Sequence, residues 1–172
     1  MTTRPPKGPT LPANSPVMRW LLDSDPAIRW QVMQDLLGAP VEEVAAERAR
    51  VATEGWGAQL LALQGADGAW GGGAFSQGWD STMHVLTLLR ELGLDPASGA
   101  ARQAIDRVRE GVRWMGWDWD GTWRGPDFAG NPFFAGEVEP CINGQVAASG
   151  AYFGQDSERI IDRLLGEQLA DG

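Results

Sequence analysis

Residues 60–68 and 164–172 both read Leu-Leu-x-x-Gln-x-Ala-Asp-Gly, at a fixed offset of 104 positions. Between them, Asp120-Gly121-x-Trp123 repeats Asp67-Gly68-x-Trp70 at an offset of 53. A period of about 52 residues is the size of a helical-hairpin unit, which cannot bury its apolar face alone and gains a core by stacking on its neighbours. This repeat restricts the chain to a few architectures.

The segments between the repeated turns carry helical signals. "DPAIRWQVMQDLLG" opens with Asp25 as an N-cap and Pro26 at the first helical position, and closes on Gly38. Ile28, Val32, Leu36 and Leu37 are expected on one face. Residues 41–64 form a second amphipathic stretch, with a break expected near Gly55 and Gly57. A third helix begins at Asp80 or Ser81 and ends at Gly93. A fourth, over 97–116, carries Ile105, Val108 and Val112 on its apolar face. A fifth begins near Cys141, and a sixth is capped by Asp156 or Ser157. Weakly charged and strongly charged helices alternate, as inner and outer helices of hairpins should. No segment alternates with the period of a strand. The expected fold is all-α. A Pro-rich lead-in over 1–16 precedes three hairpins at about 17–79, 80–136 and 137–172.

Charge and cysteine usage narrow the partners. The net charge of −9 argues against nucleic acid and anionic membrane surfaces, which need clustered Lys and Arg. The single Cys141 excludes an internal disulfide framework, so a reducing, cytoplasmic setting is expected. No apolar run reaches the ~20 residues of a membrane-spanning helix. The N-terminus "MTTRPPKGPTLPANSP" has no apolar signal region.

Nine tryptophans in 172 residues need specific surfaces to cover. Gln64-x-x-x-Gly68-x-Trp70 explains one of them. Gly68 allows a turn with positive φ, Trp70 can lie flat on neighbouring helix ends, and the Gln64 amide can satisfy open backbone groups. The pattern reads as a clasp between adjacent hairpins.

Gln-x3-Gly-x-Trp after an amphipathic helix, recurring at this spacing, resembles the QW motif of squalene and oxidosqualene cyclases. Their superfamily includes the protein prenyltransferase β subunits. The resemblance covers roughly residues 20–172. It implies a partial α/α toroid of helix hairpins around an apolar cavity. The second copy lacks a glutamine four residues before Gly121, with Met115 close by, and the third copy stops at Gly172. Such rings usually hold six hairpins, so the expectation is an N-terminal half whose open flank can self-associate.

The resemblance also implies an isoprenoid-type substrate and candidate site residues. In cyclases an Asp-x-Asp-Asp sequence donates a proton and aromatic faces hold the carbocations. Asp118 and Asp120 match in part, but Asp120 falls in the repeated turn and reads equally as a turn residue. Glu139, two residues before Cys141 at an inner-helix start, is similar to the Asp-x-Cys zinc pair of prenyltransferases. Zinc is therefore a conceivable cofactor, though none is required for cyclase chemistry. The plain alternative is a helix start with acidic residues near its positive end and a small cysteine. His84, on an inner helix, is a candidate acid or base, or a histidine making one hydrogen bond in an interface. Trp117, Trp119, Phe133 and Phe134, with Asn143, are candidate substrate-binding residues. The long 117–136 loop is a candidate mouth, although its rings can equally seal the gap between hairpins. The expected function is isoprenoid handling of cyclase or prenyltransferase type. The alternative is a non-catalytic helical-repeat module that binds a protein or lipid.

Overall fold

A computed structural model of the chain describes residue 12 and residues 15–76, 78–115, 130–137 and 139–170. Every regular element among these residues is helical. In chain order they are α1 (Pro16–Leu22), α2 (Pro26–Val32), α3 (Val41–Ala49), α4 (Gly55–Ala62), α5 (Thr82–Glu91), α6 (Gly99–Gly111), α7 (Pro140–Tyr152) and α8 (Glu158–Gly166). Backbone pairing in the strand manner is limited there to isolated bridges, Trp70 with Gly73 and Arg113 with Pro132. No helix among the described residues is long and apolar enough to cross a membrane.

Local chemistry sets most helix ends. Ser15 caps α1 and Ser98 caps α6, each accepting from a backbone N–H three residues on. Asp25 caps two helices with one carboxylate. Its Oδ1 accepts from Ala27 N–H at 2.9 Å, and its Oδ2 accepts from Trp56 N–H at 2.8 Å at the start of α4. The second stretch breaks at Thr53-Glu54, between a 3-10 turn over Arg50–Ala52 and α4. Ser81 is the N-cap residue of α5. Ser157 holds that position for α8, but the Asp156 carboxylate is the group that accepts from Glu158 N–H.

One helix was not foreseen, and one expectation is corrected. The chain has a helix ahead of Asp25, because Ser15-Pro16 is itself a cap and first-turn pair. Leu36 and Leu37 do not share a buried face with Val32. A π turn over Met33–Leu37 changes the residues per turn and leaves both exposed.

Gln64, Gly68 and Trp70 form the clasp. Gln64 Nε2 donates to the carbonyls of Gly68 and Ala104, both at 2.9 Å, so one amide ties the turn to α6. Gly68 has φ +83, and a Cβ there would strike the Arg107 backbone. Trp70 is 2% exposed; its Nε1–H donates to Leu60 O at 2.7 Å and its N–H to Thr82 Oγ1 at 3.2 Å. The same turn therefore holds the end of α4, the flank of α6 and the start of α5.

A second knot lies at the other end of α5. Three carbonyls past its last turn accept from three other helices. Trp30 Nε1–H of α2 donates to Leu92 O (2.9 Å), Arg48 Nε of α3 to Gly93 O (2.8 Å), and the Tyr152 hydroxyl of α7 to Leu94 O (2.8 Å). A guanidinium at a helix C-terminus also opposes the negative end of the dipole. Arg48 lies over the Trp30 ring, 5.4 Å from its centroid. Gly93, at φ +83, leaves room for the Trp30 indole, which a Cβ would strike. α5 packs along α7, and Tyr152 at the end of α7 reaches the end of α5. The two helices therefore run in the same direction, with their N-termini at one end of the molecule.

Candidate functional site

Of the candidate residues that the structure describes, His84 lies at the N-terminal end of α5, and Glu139, Cys141 and Asn143 lie at that of α7. The clasp turn lies at this end because Thr82 N–H and Met83 N–H donate to the carbonyls of Gly73 and Ala74. "GGG" at 71–73 is thus a tight turn tied to α5.

His84 sits in the first turn of α5. Its Nδ1 is 2.9 Å from Ser81 Oγ. Ser81 is fully buried, and this contact is its one side-chain hydrogen bond among the described residues. The ring makes tilted contacts with Phe75 and Trp79, at centroid distances of 5.4 and 4.9 Å. Trp79 is 86% exposed, the most open large apolar side chain among the described residues. Ser76 Oγ donates to Gly78 O and Asp80 Oδ1, both at 3.2 Å, which ties Ser76 to the residues just before α5.

At the start of α7, Asn143 serves the backbone. Its Oδ1 accepts from Glu137 N–H (2.8 Å) and its Nδ2 donates to Glu137 O (2.7 Å), with the side chain 1% exposed. Both ends of the amide are satisfied inside the protein. Glu139 and Cys141 stand on the surface beside it. Cys141 Sγ–H donates to Glu139 Oε1 at 2.8 Å. That hydrogen bond, with smaller contributions from burial and the carboxylate charge, raises the thiol above the usual cysteine range. A protonated thiol is a poor nucleophile and a poor metal ligand.

Phe133 and Phe134 lie in the core. Phe133 stacks on Trp114 at 5.4 Å, and Phe134 meets Phe133 edge-on at 5.1 Å. Trp114 Nε1–H donates to Phe133 O at 2.8 Å. Backbone bonds from Trp114 N to Asn131 O, Gly130 N to Trp114 O and Phe133 N to Val112 O join residues 112–114 to residues 130–133 in a neck. Asp118, Trp117 and Trp119, with Asp120, Trp123 and Phe128, lie outside the described residues.

Among the described residues, no three His, Cys, Asp or Glu side chains converge as a metal group would. Glu139 and Cys141 supply two donors, below the three protein ligands of a catalytic zinc site. The sequence marked Ser81 only as a helix start and did not mark out Trp79. The Ser81-x-x-His84 spacing, one helical turn, was the available signal for Ser81. Nothing in the pattern around Gly78 singles out Trp79.

No protein-family model, curated protein or solved structure matches the chain.

Proposed function

We propose that the chain handles an isoprenoid substrate, as a relative of squalene cyclases and protein prenyltransferases built from consecutive helix hairpins. The clasp is the observation that carries this reading. Gln64 bridges two carbonyls on different elements, and Trp70 pins the end of α4 beneath the start of α5. That is the role expected of a QW-type motif between hairpins. The common direction of α5 and α7 also suits inner helices of successive hairpins. In this reading the chemistry lies at their N-terminal ends, with Glu139 and His84 as polar groups beside an apolar cavity. A cytoplasmic setting fits the one unpaired cysteine. The outer face of α8 and the segment after it, with Ile161, Leu165 and Leu169 exposed, is the surface for self-association.

The test is incubation of the full chain with squalene and with farnesyl and geranylgeranyl diphosphates, read by mass spectrometry. A cyclised or transferred product, reduced in Glu139→Gln, is expected. Turnover of none of the three removes the enzymatic reading.

A second reading, a non-catalytic helical-repeat module for a protein or lipid partner, has its own support. Asn143 spends its amide on Glu137, Cys141 bonds Glu139, and His84 Nδ1 pairs with the Ser81 hydroxyl. Side chains that satisfy one another are arranged as fold-holding groups are.

A further inference from the structure

α8 is held by less than the helices it packs among. Ile160 is its one buried residue, with Leu164 half-buried, whereas α5 and α7 each bury five. Its start is loosely satisfied as well. Ser157 holds the N-cap position but makes no cap bond, and its hydroxyl lies against α7 at Gly150, where a Cβ would strike Ser157 Oγ. Neither Ser157 Oγ nor Ser149 Oγ, one residue before Gly150, has a partner among the described residues, although both are buried. Buried hydroxyls without partners weaken the junction that contains them, and an element with few buried apolar contacts opens ahead of the global fold.

The residue that holds α8 down covers part of the candidate site. A Cβ on Gly136 would lie 2.8 Å from Ile160 Cγ1 and 2.6 Å from Asn143 Oδ1, so the Ile160 side chain fills a corner at Gly136 and Asn143. Gly136 itself has φ +77, and its missing side chain is what leaves the corner open to Ile160. α8 also packs on the Phe133–Ala135 turn. Between α7 and α8, Gly154 has φ +66 and open space where a Cβ would lie, so a change of backbone angle there meets no side chain.

We propose that α8 is a strap that swings about Gly154 and opens the Gly136–Asn143 corner to an apolar chain, whose branched end takes the place of Ile160. Such a chain buries about the apolar area that Ile160 gives up, so the exchange is close to balanced in that term. This deepens the isoprenoid reading, on which the choice of chain rests; the opening depends only on how α8 is held.

The test is hydrogen exchange read by mass spectrometry on the full chain, with and without farnesol. Amides of α8 should exchange at least about tenfold faster than those of α5 and α7. Ile160→Ala should speed α8 by at least about a further tenfold. Ser157→Ala, which removes a buried unpartnered hydroxyl, should slow α8 a few-fold. Val108→Ala, in the core side of α6, should speed α5 and leave α8 unchanged, because α8 opens without breaking that contact. Farnesol should speed exchange in α8 alone. Equal protection of α8, α5 and α7 overturns the proposal. So does a Val108→Ala effect as large in α8 as in α5, an Ile160→Ala variant without effect on α8, faster exchange in Ser157→Ala, or an α8 that does not respond to farnesol. A farnesol response in α8 together with failed turnover of the diphosphates supports the strap and counts against the enzymatic reading alone.

Discussion

Arg48 and Tyr152 stand 104 positions apart and meet at 2.9 Å, the guanidinium Nη2 donating to the phenol oxygen that itself donates to Leu94 O. This chain of bonds joins α3, α7 and the end of α5. It also decides that α5 and α7 run in parallel, which places His84 and Glu139 at the same end of the molecule.

Tyr152→Phe keeps the ring and removes the relay. Leu94 O then loses its donor, and Arg48 Nη2 loses its acceptor. The expected loss is about 1–2 kcal/mol, a few degrees in Tm, since a net hydrogen bond is worth about 1 kcal/mol and an abandoned buried partner adds to that. Thermal and urea unfolding measure it. No change would mean that the relay is not maintained in solution.

Asp25→Ala should cost more than an ordinary cap. One carboxylate satisfies Ala27 N–H of α2 and Trp56 N–H of α4. Removal of a single cap costs about 0.5–2 kcal/mol, so the double cap should approach or exceed the top of that range. Asp25→Asn keeps two polar atoms at the site and should recover part of the loss. Urea denaturation of both variants gives the comparison.

Two glycines of α6 should respond with opposite signs. A Cβ on Gly111 would overlap the Asp67 carbonyl, where the clasp turn lies against the helix end. A Cβ on Gly99 would meet nothing within 4 Å. Gly111→Ala should therefore destabilise by about 1–3 kcal/mol through forced displacement of backbone. Gly99→Ala should be neutral or stabilise by up to about 1 kcal/mol, as a better helix former. Equal effects would argue against the close approach of the turn to α6.

Cys141 gives a pH-dependent readout. The Glu139 carboxylate accepts from the thiol and holds its pKa above the usual range. Iodoacetamide should therefore modify Cys141 more slowly than an unperturbed cysteine near neutral pH, because the thiolate is the nucleophile. Glu139→Gln should shift the rate–pH profile to lower pH and speed modification at pH 8. The folded pKa is raised, so the pair's contribution to stability is present below the unfolded thiol pKa and is lost as pH rises through the folded one. An unchanged alkylation profile would show that the Glu139 contact is not populated.

Helix ends set by local chemistry were readable from sequence. Asp25-Pro26, the break before Gly55 and the stop at Gly93 each depend on residues within a turn of the feature, and each appears where expected. Ile105 and Val108 are buried, as the period of the fourth helix predicts, but that helix ends at Gly111 rather than near 116, and Val112 is buried as an extended residue just past it. Leu36 and Leu37 escaped that logic because a π turn has no periodic signature. The neck from Val112 and Trp114 to Asn131 and Phe133, and the carbonyl knot at 92–94, involve long-range backbone atoms that side-chain patterns do not encode. The candidate site was legible as residue types at a helix start. Whether Asn143 faced a ligand or the backbone of Glu137 depended on a loop whose path no motif fixes.

The clasp is the central claim, and a double-mutant cycle tests it most directly. Gln64→Ala, Trp70→Phe and the double variant should be compared by urea unfolding. Gln64 holds Gly68 and Ala104, while Trp70 Nε1–H holds Leu60, so both act on the same turn. The account predicts that each single change destabilises by about 1 kcal/mol or more and that the two are coupled by at least about 0.5 kcal/mol. Strictly additive losses, or negligible loss from Gln64→Ala, would contradict it.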